Sequence, residues 1–167
     1  MLFRSVVNML NTYLRTQAEI VRKYDGDIDK YVGDELVAVF QDGEDMIKKA
    51  MYCALEIHRT LETLNKRHSA WGDIRVGIGI NRGDMIMGAV GSDERMDFTI
   101  LGDHVNLGSR LCSHAGPGET ILSKNAYRYI GKEIEKLQKK QGLCIVKEQV
   151  HVKGKSKPIQ VYRIKES

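Results

Sequence analysis

The sequence predicts an α+β domain, and three observations lead there. Apolar residues recur at three- and four-residue steps in two long stretches, 4–24 and 44–67, which is the period of amphipathic helices. Between and after them lie short apolar runs parted by turn residues, the pattern of paired strands. One such run, Phe98-Thr99-Ile100-Leu101, stops at Gly102, and a further helical period opens at Asp103.

The first helix carries Val7, Leu10, Leu14, Ala18 and Val21 on one stripe and ends near Asp25-Gly26. Residues 28–32 then alternate, Gly33-Asp34 supplies a two-residue turn, and 36–40 is a continuous apolar run. This predicts a β-hairpin with Asp34 at its tip. Its second strand is expected to be buried on both faces; its first, with Asp29, Lys30 and Tyr31, keeps one face near solvent or a site. The second helix has a stripe of Ile47, Ala50, Met51, Ala54, Ile57, Leu61 and Leu64. Residues 74–80 and 85–90, joined by Asn81-Arg82-Gly83-Asp84, read as another hairpin. The glycines of Gly77-Ile78-Gly79 sit inside a strand pattern with no helix behind them, which argues against a dinucleotide-binding turn. A polar arm over 91–96 leads into the strand at 98–101 and the helix at 103. A short strand at 120–122, a helix from Lys124, a charged helix or loop to Gly142 and two terminal strands complete the chain. The order describes a ferredoxin-like, mostly antiparallel sheet with helices packed on it.

The stretch from Asp97 to Leu111 organises the rest. Asp103 suits the N-cap of its helix and Gly102 lets the backbone turn. At about 100° per residue, Val105, Gly108, Leu111, Cys112 and Ala115 share one arc, while Asn106 and Arg110, four apart, share the opposite one. Alone, that pair reads more readily as the wet face of a surface helix.

Composition narrows the classes. With 42% hydrophobic and 29% charged residues over 167 positions, the chain can bury one sizeable core. No run is long and apolar enough to span a bilayer, and no signal-peptide core follows the first residues, so a cytoplasmic domain without membrane contact is expected. Cys53, Cys112 and Cys144 are odd in number and lie in apolar contexts, which favours buried free thiols over a disulfide or zinc site. The five histidines show no paired ligand spacing. Much of the net charge of +4 sits in the last third, yet no aromatics interleave its lysines. That disfavours nucleic acid and leaves a phosphorylated small molecule as the better ligand class.

Four segments together resemble the catalytic domain of the class III nucleotidyl cyclases: Asp29-Lys30-Tyr31-Val32-Gly33-Asp34, Ile74-Arg75-Val76-Gly77-Ile78-Gly79-Ile80, the stretch from Phe98 to Arg110, and Val152-Lys153-Gly154-Lys155. The match covers nearly all of residues 1–167 in one order; a single domain, excised from a larger regulated protein, is expected. The resemblance implies conversion of ATP to cyclic AMP, or GTP to cyclic GMP, with release of pyrophosphate. It also implies two divalent cations, Mg²⁺ or Mn²⁺, and a homodimer with shared active sites.

On that resemblance Asp34 is a metal-binding aspartate, and Asn106 and Arg110 orient the ribose and neutralise charge at the α-phosphate. Lys30 and Thr99 hold the positions that read the purine edge, and Arg75 and Lys153 contact the triphosphate. Lys30 favours adenine; Thr99 departs from the commonest adenylyl aspartate and resembles a subgroup with threonine, several members of which respond to bicarbonate. A threonine hydroxyl accepts from an adenine amino group and also donates to a guanine carbonyl, so rejection of GTP is expected to be weaker than with a carboxylate. Each site of a homodimer is expected to draw Asp34 and Arg75 from one copy and Lys30, Thr99, Asn106 and Arg110 from the other.

The family's pattern opens with a strand carrying a second metal aspartate. No such motif stands in this sequence, in which Met1-Leu2-Phe3 resembles the start of that strand and the first helix is expected from Arg4. All or part of that strand is therefore expected to be lacking, with a break between Phe3 and Arg4, and a chain without the aspartate is expected to be inactive by itself. Two alternatives stand beside the adenylyl reading. Gly33-Asp34-Glu35 resembles the turn of diguanylate cyclases, although Val32 breaks its double glycine. A non-catalytic nucleotide-binding or dimerisation module of cyclase ancestry is the other.

Overall fold

The computed structural model describes residues 2–41 and 43–167, with the side chains of the first helix described from Ser5 onward. Among them four α-helices and eight strands make a mixed α+β fold, and the chain divides into two compact units, Met1–Arg75 and Val76–Ser167.

In the first unit α1 (Leu2–Lys23) packs on α2 (Met46–Arg67) and on the hairpin β1 (Asp27–Val32) and β2 (Glu35–Val39). The predicted stripes meet in part: Ala18 and Val21 of α1 and Met51, Ala54 and Leu61 of α2 are buried, whereas Val7, near the start of α1, is 53% exposed. Each large side chain so removed from water stabilises the fold by about 1.5–3 kcal/mol. A polar clasp closes one end, where Glu56 accepts from Lys23 Nζ at 2.7 Å and from the Tyr24 hydroxyl at 2.7 Å. Two expectations change here. Helix α1 begins at Leu2 and passes through Phe3 and Arg4 without interruption, so the expected break is not there and Leu2-Phe3 is helical rather than strand; Met1 lies outside the described residues. Strand β2 is half-buried, with only Val39 fully covered, because β1 is its one hydrogen-bonded neighbour among the described residues.

The second unit holds a four-stranded sheet in the order β3 (Ile78–Ile80), β6 (Glu119–Ser123), β8 (Ile159–Glu166), β7 (Leu143–Val150). Helix α3 (Asp103–His114) contacts β3 and β6, and α4 (Lys124–Gln141) contacts β6, β7 and β8. Residues 120–123 of β6 are all buried, so both faces of that strand are covered. The predicted hairpin over 74–90 does not form. Strand β3 is three residues long and runs parallel to β6, whereas β4 (Ile86–Ser92) pairs with β5 (Arg95–Leu101) in a separate antiparallel ribbon. The connecting loop is held away from a tight turn, since Asn125 Nδ2 donates to the Arg82 carbonyl at 2.7 Å and the Arg82 guanidinium lies 3.7 Å over the Tyr129 ring. The polar arm is the tip of the β4–β5 ribbon, and the charged stretch before Gly142 is the continuous helix α4, capped by the Ser123 hydroxyl and ended by Gly142.

Candidate active site

The first unit places three of the predicted residues. Val32 pairs with Glu35, leaving Gly33 and Asp34 as the two turn residues, and Gly33 takes φ 62°. That turn matches the twist of the flanking strands and carries Asp34 exposed at its tip. Lys30 lies on β1 with its ammonium 3.4 Å from the Asp29 carboxylate. Arg75 follows an anchored segment: Asn65 donates to Asp73 at 2.8 Å and to the Ile74 carbonyl at 2.9 Å, and accepts from the Ile74 N–H at 3.1 Å. Asp73 in turn accepts from Arg75 Nε at 3.0 Å. An exposed pair of this kind contributes at most about 1 kcal/mol to stability; its effect is to orient the guanidinium.

The second unit places the other four. Thr99 is half-buried on β5, directly opposite Gly88 of β4, and a Cβ at Gly88 would meet nothing within 4 Å. Opposed residues share a face of the ribbon, so the ground beside Thr99 is clear. Helix α3 starts from Gly102, whose carbonyl accepts from the Val105 and Asn106 N–H groups, both at 3.1 Å. Asp103 is the first helical residue and not the N-cap; there its charge meets the positive end of the helix dipole.

The seat of α3 explains which face it shows. A Cβ on Gly79 would fall 2.3 Å from the Cys112 nitrogen and 2.5 Å from the Gly108 carbonyl oxygen, so the helix backbone lies directly on β3. Leu111, wholly buried, packs on Ile121 and Val161, with Leu107 beside it. Asn106 is therefore turned to solvent and Arg110 is half-exposed one turn further on. The loop 151–158 is closed by the pair Val150 and Ile159, and both pack against the same Leu111 cluster. This brings the loop to Arg110. A Cβ on Gly154, which has φ 82°, would stand 3.1 Å from Arg110 Nη1 and 3.4 Å from Nη2. The guanidinium thus lies across bare backbone in a loop that also carries the exposed Lys153 and Lys155.

Asp29 and Asn65 lie beside predicted residues of the first unit, Gly88 and Gly154 beside those of the second, and none of the four was assigned a role from the sequence. The signals for Gly154 and Asp29 were their places in matched motifs, between two lysines and next to Lys30; Asn65 and Gly88 left none that a single sequence carries.

The donor set at Asp34 is one hard carboxylate oxygen. Among the described residues there is no group of three or more His, Cys, Asp or Glu able to hold a metal ion. One carboxylate, with substrate phosphates and water in the other positions, is a common way to hold Mg²⁺. The residues present fit a divalent cation that arrives with a nucleotide.

In the second unit Arg110 meets a loop with two exposed lysines, a setting that suits phosphate oxygens, and comparison with known proteins supplies the class. Residues 4–166 match the family described as the adenylate and guanylate cyclase catalytic domain, and the chain belongs to that family. It is 31% identical over 169 residues to the terminal-differentiation-specific adenylate cyclase of Dictyostelium discoideum and 30% identical over 168 residues to the adenylate cyclase of Anabaena cylindrica. Those alignments span 98% and 96% of this chain but 8% and 32% of the two relatives. Among solved structures, the adenylyl cyclase CyaB from P. aeruginosa superposes with a TM-score of 0.83 at 32% identity, over 98% of this chain and 84% of that one. The guanylyl cyclase Cya2 superposes equally well, with a TM-score of 0.83 over 98% and 82% of the two chains, at 24% identity, a likeness of fold. No helix among the described residues is long and apolar enough to cross a membrane.

Proposed function

We propose that this domain is an adenylyl cyclase, forming 3′,5′-cyclic AMP and pyrophosphate from ATP in a homodimer whose copies share their active sites. The observation that carries the reading is the meeting of Arg110 with the loop of Lys153, beside Asn106, on one side of the second unit. In the reaction the ribose 3′-oxygen attacks the α-phosphorus and the bond to the pyrophosphate oxygen breaks. Charge builds on the α-phosphoryl oxygens and on the leaving group. Arg110 cannot lose its proton, so it is a permanent counter-charge for those oxygens, with donors in a fixed fork. Asn106 holds the ribose, and Lys153 and Arg75 take oxygens of the triphosphate. Asp34 is a ligand for Mg²⁺ or Mn²⁺, which when bound neutralises phosphate charge and lowers the pKa of the attacking hydroxyl.

Lys30 and Thr99 select adenine, and both relatives at 30–31% identity are named adenylate cyclases. Each site takes Asp34 and Arg75 from one copy and Lys30, Thr99, Asn106 and Arg110 from the other. The β4–β5 ribbon supports self-association, because Met87, Met96 and Phe98 share one of its faces and are 39%, 56% and 68% exposed. Apolar side chains so exposed mark a contact surface.

Product analysis tests the reading. The full-length protein is given ATP or GTP with Mg²⁺ or Mn²⁺, and the expected result is cyclic AMP from ATP that disappears in Asp34→Ala. Nucleotide binding without product from either substrate would overturn it in favour of a regulatory module.

A further inference from the structure

We propose that Asp29 is a positioning residue for purine selection, holding the Lys30 ammonium in place before a nucleotide arrives. The proposal rests on Lys30 being a purine contact. Adjacent residues of a regular strand point to opposite faces, so positions 29 and 30 should not meet. The ladder is irregular there: Ile28 faces Ala38 and Lys30 faces Val37, leaving Asp29 as the extra residue of a bulge. A bulge re-aims side chains, and here it brings the two together. The Asp29 side chain is 6% exposed and its Oδ2 lies 3.4 Å from Lys30 Nζ, whose side chain is 38% exposed. The pair is thus a carboxylate anchored out of water holding an ammonium that still reaches solvent.

A carboxylate withdrawn from water requires charged or hydrogen-bonding partners, and Lys30 is one of them. At this separation the contact is an ion pair that orients the ammonium, not a short hydrogen bond that uses up its donors. Lysine has three donors on a flexible stem. Tethering it beforehand removes ordering cost from nucleotide binding and stops the head from swinging to whichever acceptor another base offers. Discrimination between adenine and guanine edges therefore depends on Asp29, although Asp29 touches neither base.

The test is equilibrium binding of the non-cyclisable α,β-methylene analogues of ATP and GTP to the full-length protein. Wild type, Asp29→Asn, Lys30→Ala and the double variant are compared, with thermal melting and the KM and kcat for ATP measured alongside. Asp29→Asn is expected to weaken the ATP analogue about fivefold or more and to narrow the ATP-to-GTP ratio. KM should rise while kcat stays within about twofold, as for loss of uniform binding. In the Lys30→Ala background the same change should add nothing. Unchanged affinity and ratio in a folded Asp29→Asn, or an effect undiminished without Lys30, overturns the proposal and leaves Asp29 a residue of the fold. If Asp29→Asn does not fold, Asp29→Ser is judged by the same criteria. A wild type that forms cyclic AMP while Asp29 proves silent sinks only this proposal; one that binds neither analogue sinks the nucleotide reading of Lys30 as well.

Discussion

Arg110 lies on the bare backbone of Gly154, and that contact sets what its removal should do. It takes no part in the Leu111 cluster, so Arg110→Ala should leave circular dichroism and melting close to wild type. Turnover should fall by about 10²-fold or more, the loss typical of a transition-state charge partner. A variant within a few-fold of wild type would contradict the assignment. Cys53 gives a second residue-scale expectation: burial, with Glu56 nearby, pushes its thiol up to about 12. Thiol titration of native protein at neutral pH should modify Cys144, which is exposed, and spare Cys53 until the chain unfolds. The sequence had all three cysteines buried; Cys144 is outward because it alternates with buried Leu143 along β7. Side-chain identity was legible from the motifs, but contact across the fold was not. No pattern within a single segment could show that Gly154 seats Arg110 or that Asn65 ties down the segment before Arg75.

Among the elements, α3, which holds Asn106 and Arg110, and its strands are braced by one ionic network. Arg163 of β8 donates from Nε and Nη2 to Glu148 of β7 at 3.0 and 2.6 Å. From Nη1 it reaches Glu119 of β6 and the His114 carbonyl at the end of α3. Arg163→Met should destabilise the protein by about 2–4 kcal/mol, because two carboxylates lose a partly buried partner. A fall in melting temperature with little change in KM is the expected readout. The same network gives a pH dependence. Burial alone would raise Glu119, but the Gly116 N–H and the Arg163 guanidinium outweigh it and hold the carboxyl below its ordinary value. Its contribution is therefore complete above the unfolded value of about 4.3 and is lost as pH falls through the lower, folded one. Acid melts should show Arg163→Met less sensitive than wild type in that window.

The elements also show where periodicity is enough. Helices α1, α2 and α3 and the β1–β2 hairpin repeat over short ranges, and they stand where the sequence placed them. Strand β3 does not, because its partner is β6, some forty residues on, joined in parallel. Gly79 was legible as a strand glycine, but its purpose, letting α3 lie on the strand, depends on that distant packing.

On the scale of the whole molecule, the apolar side chains left exposed on the β4–β5 ribbon are where the proposed dimer is tested. Met96→Asp with Phe98→Asp should give monomers by sedimentation and abolish turnover, since Met96 is 56% exposed and Phe98 68% exposed while Ile100 alone of that face is buried. Retained activity in a monomeric variant would refute a shared site. The family and the α+β frame were legible in the sequence because they rest on several motifs in one order. The proposed division of each site between two copies is not written in any of them. The most direct test mixes two variants, Asp34→Ala and Arg110→Ala, each inactive alone, in equal amounts under conditions that allow subunit exchange. Half of the dimers should pair unlike copies and hold one intact site each, so cyclic AMP formation should return to about a quarter of wild type, as two-fold symmetry requires. No recovery from a mixture shown to exchange would contradict the claim that Asp34 and Arg110 act at one site from different copies.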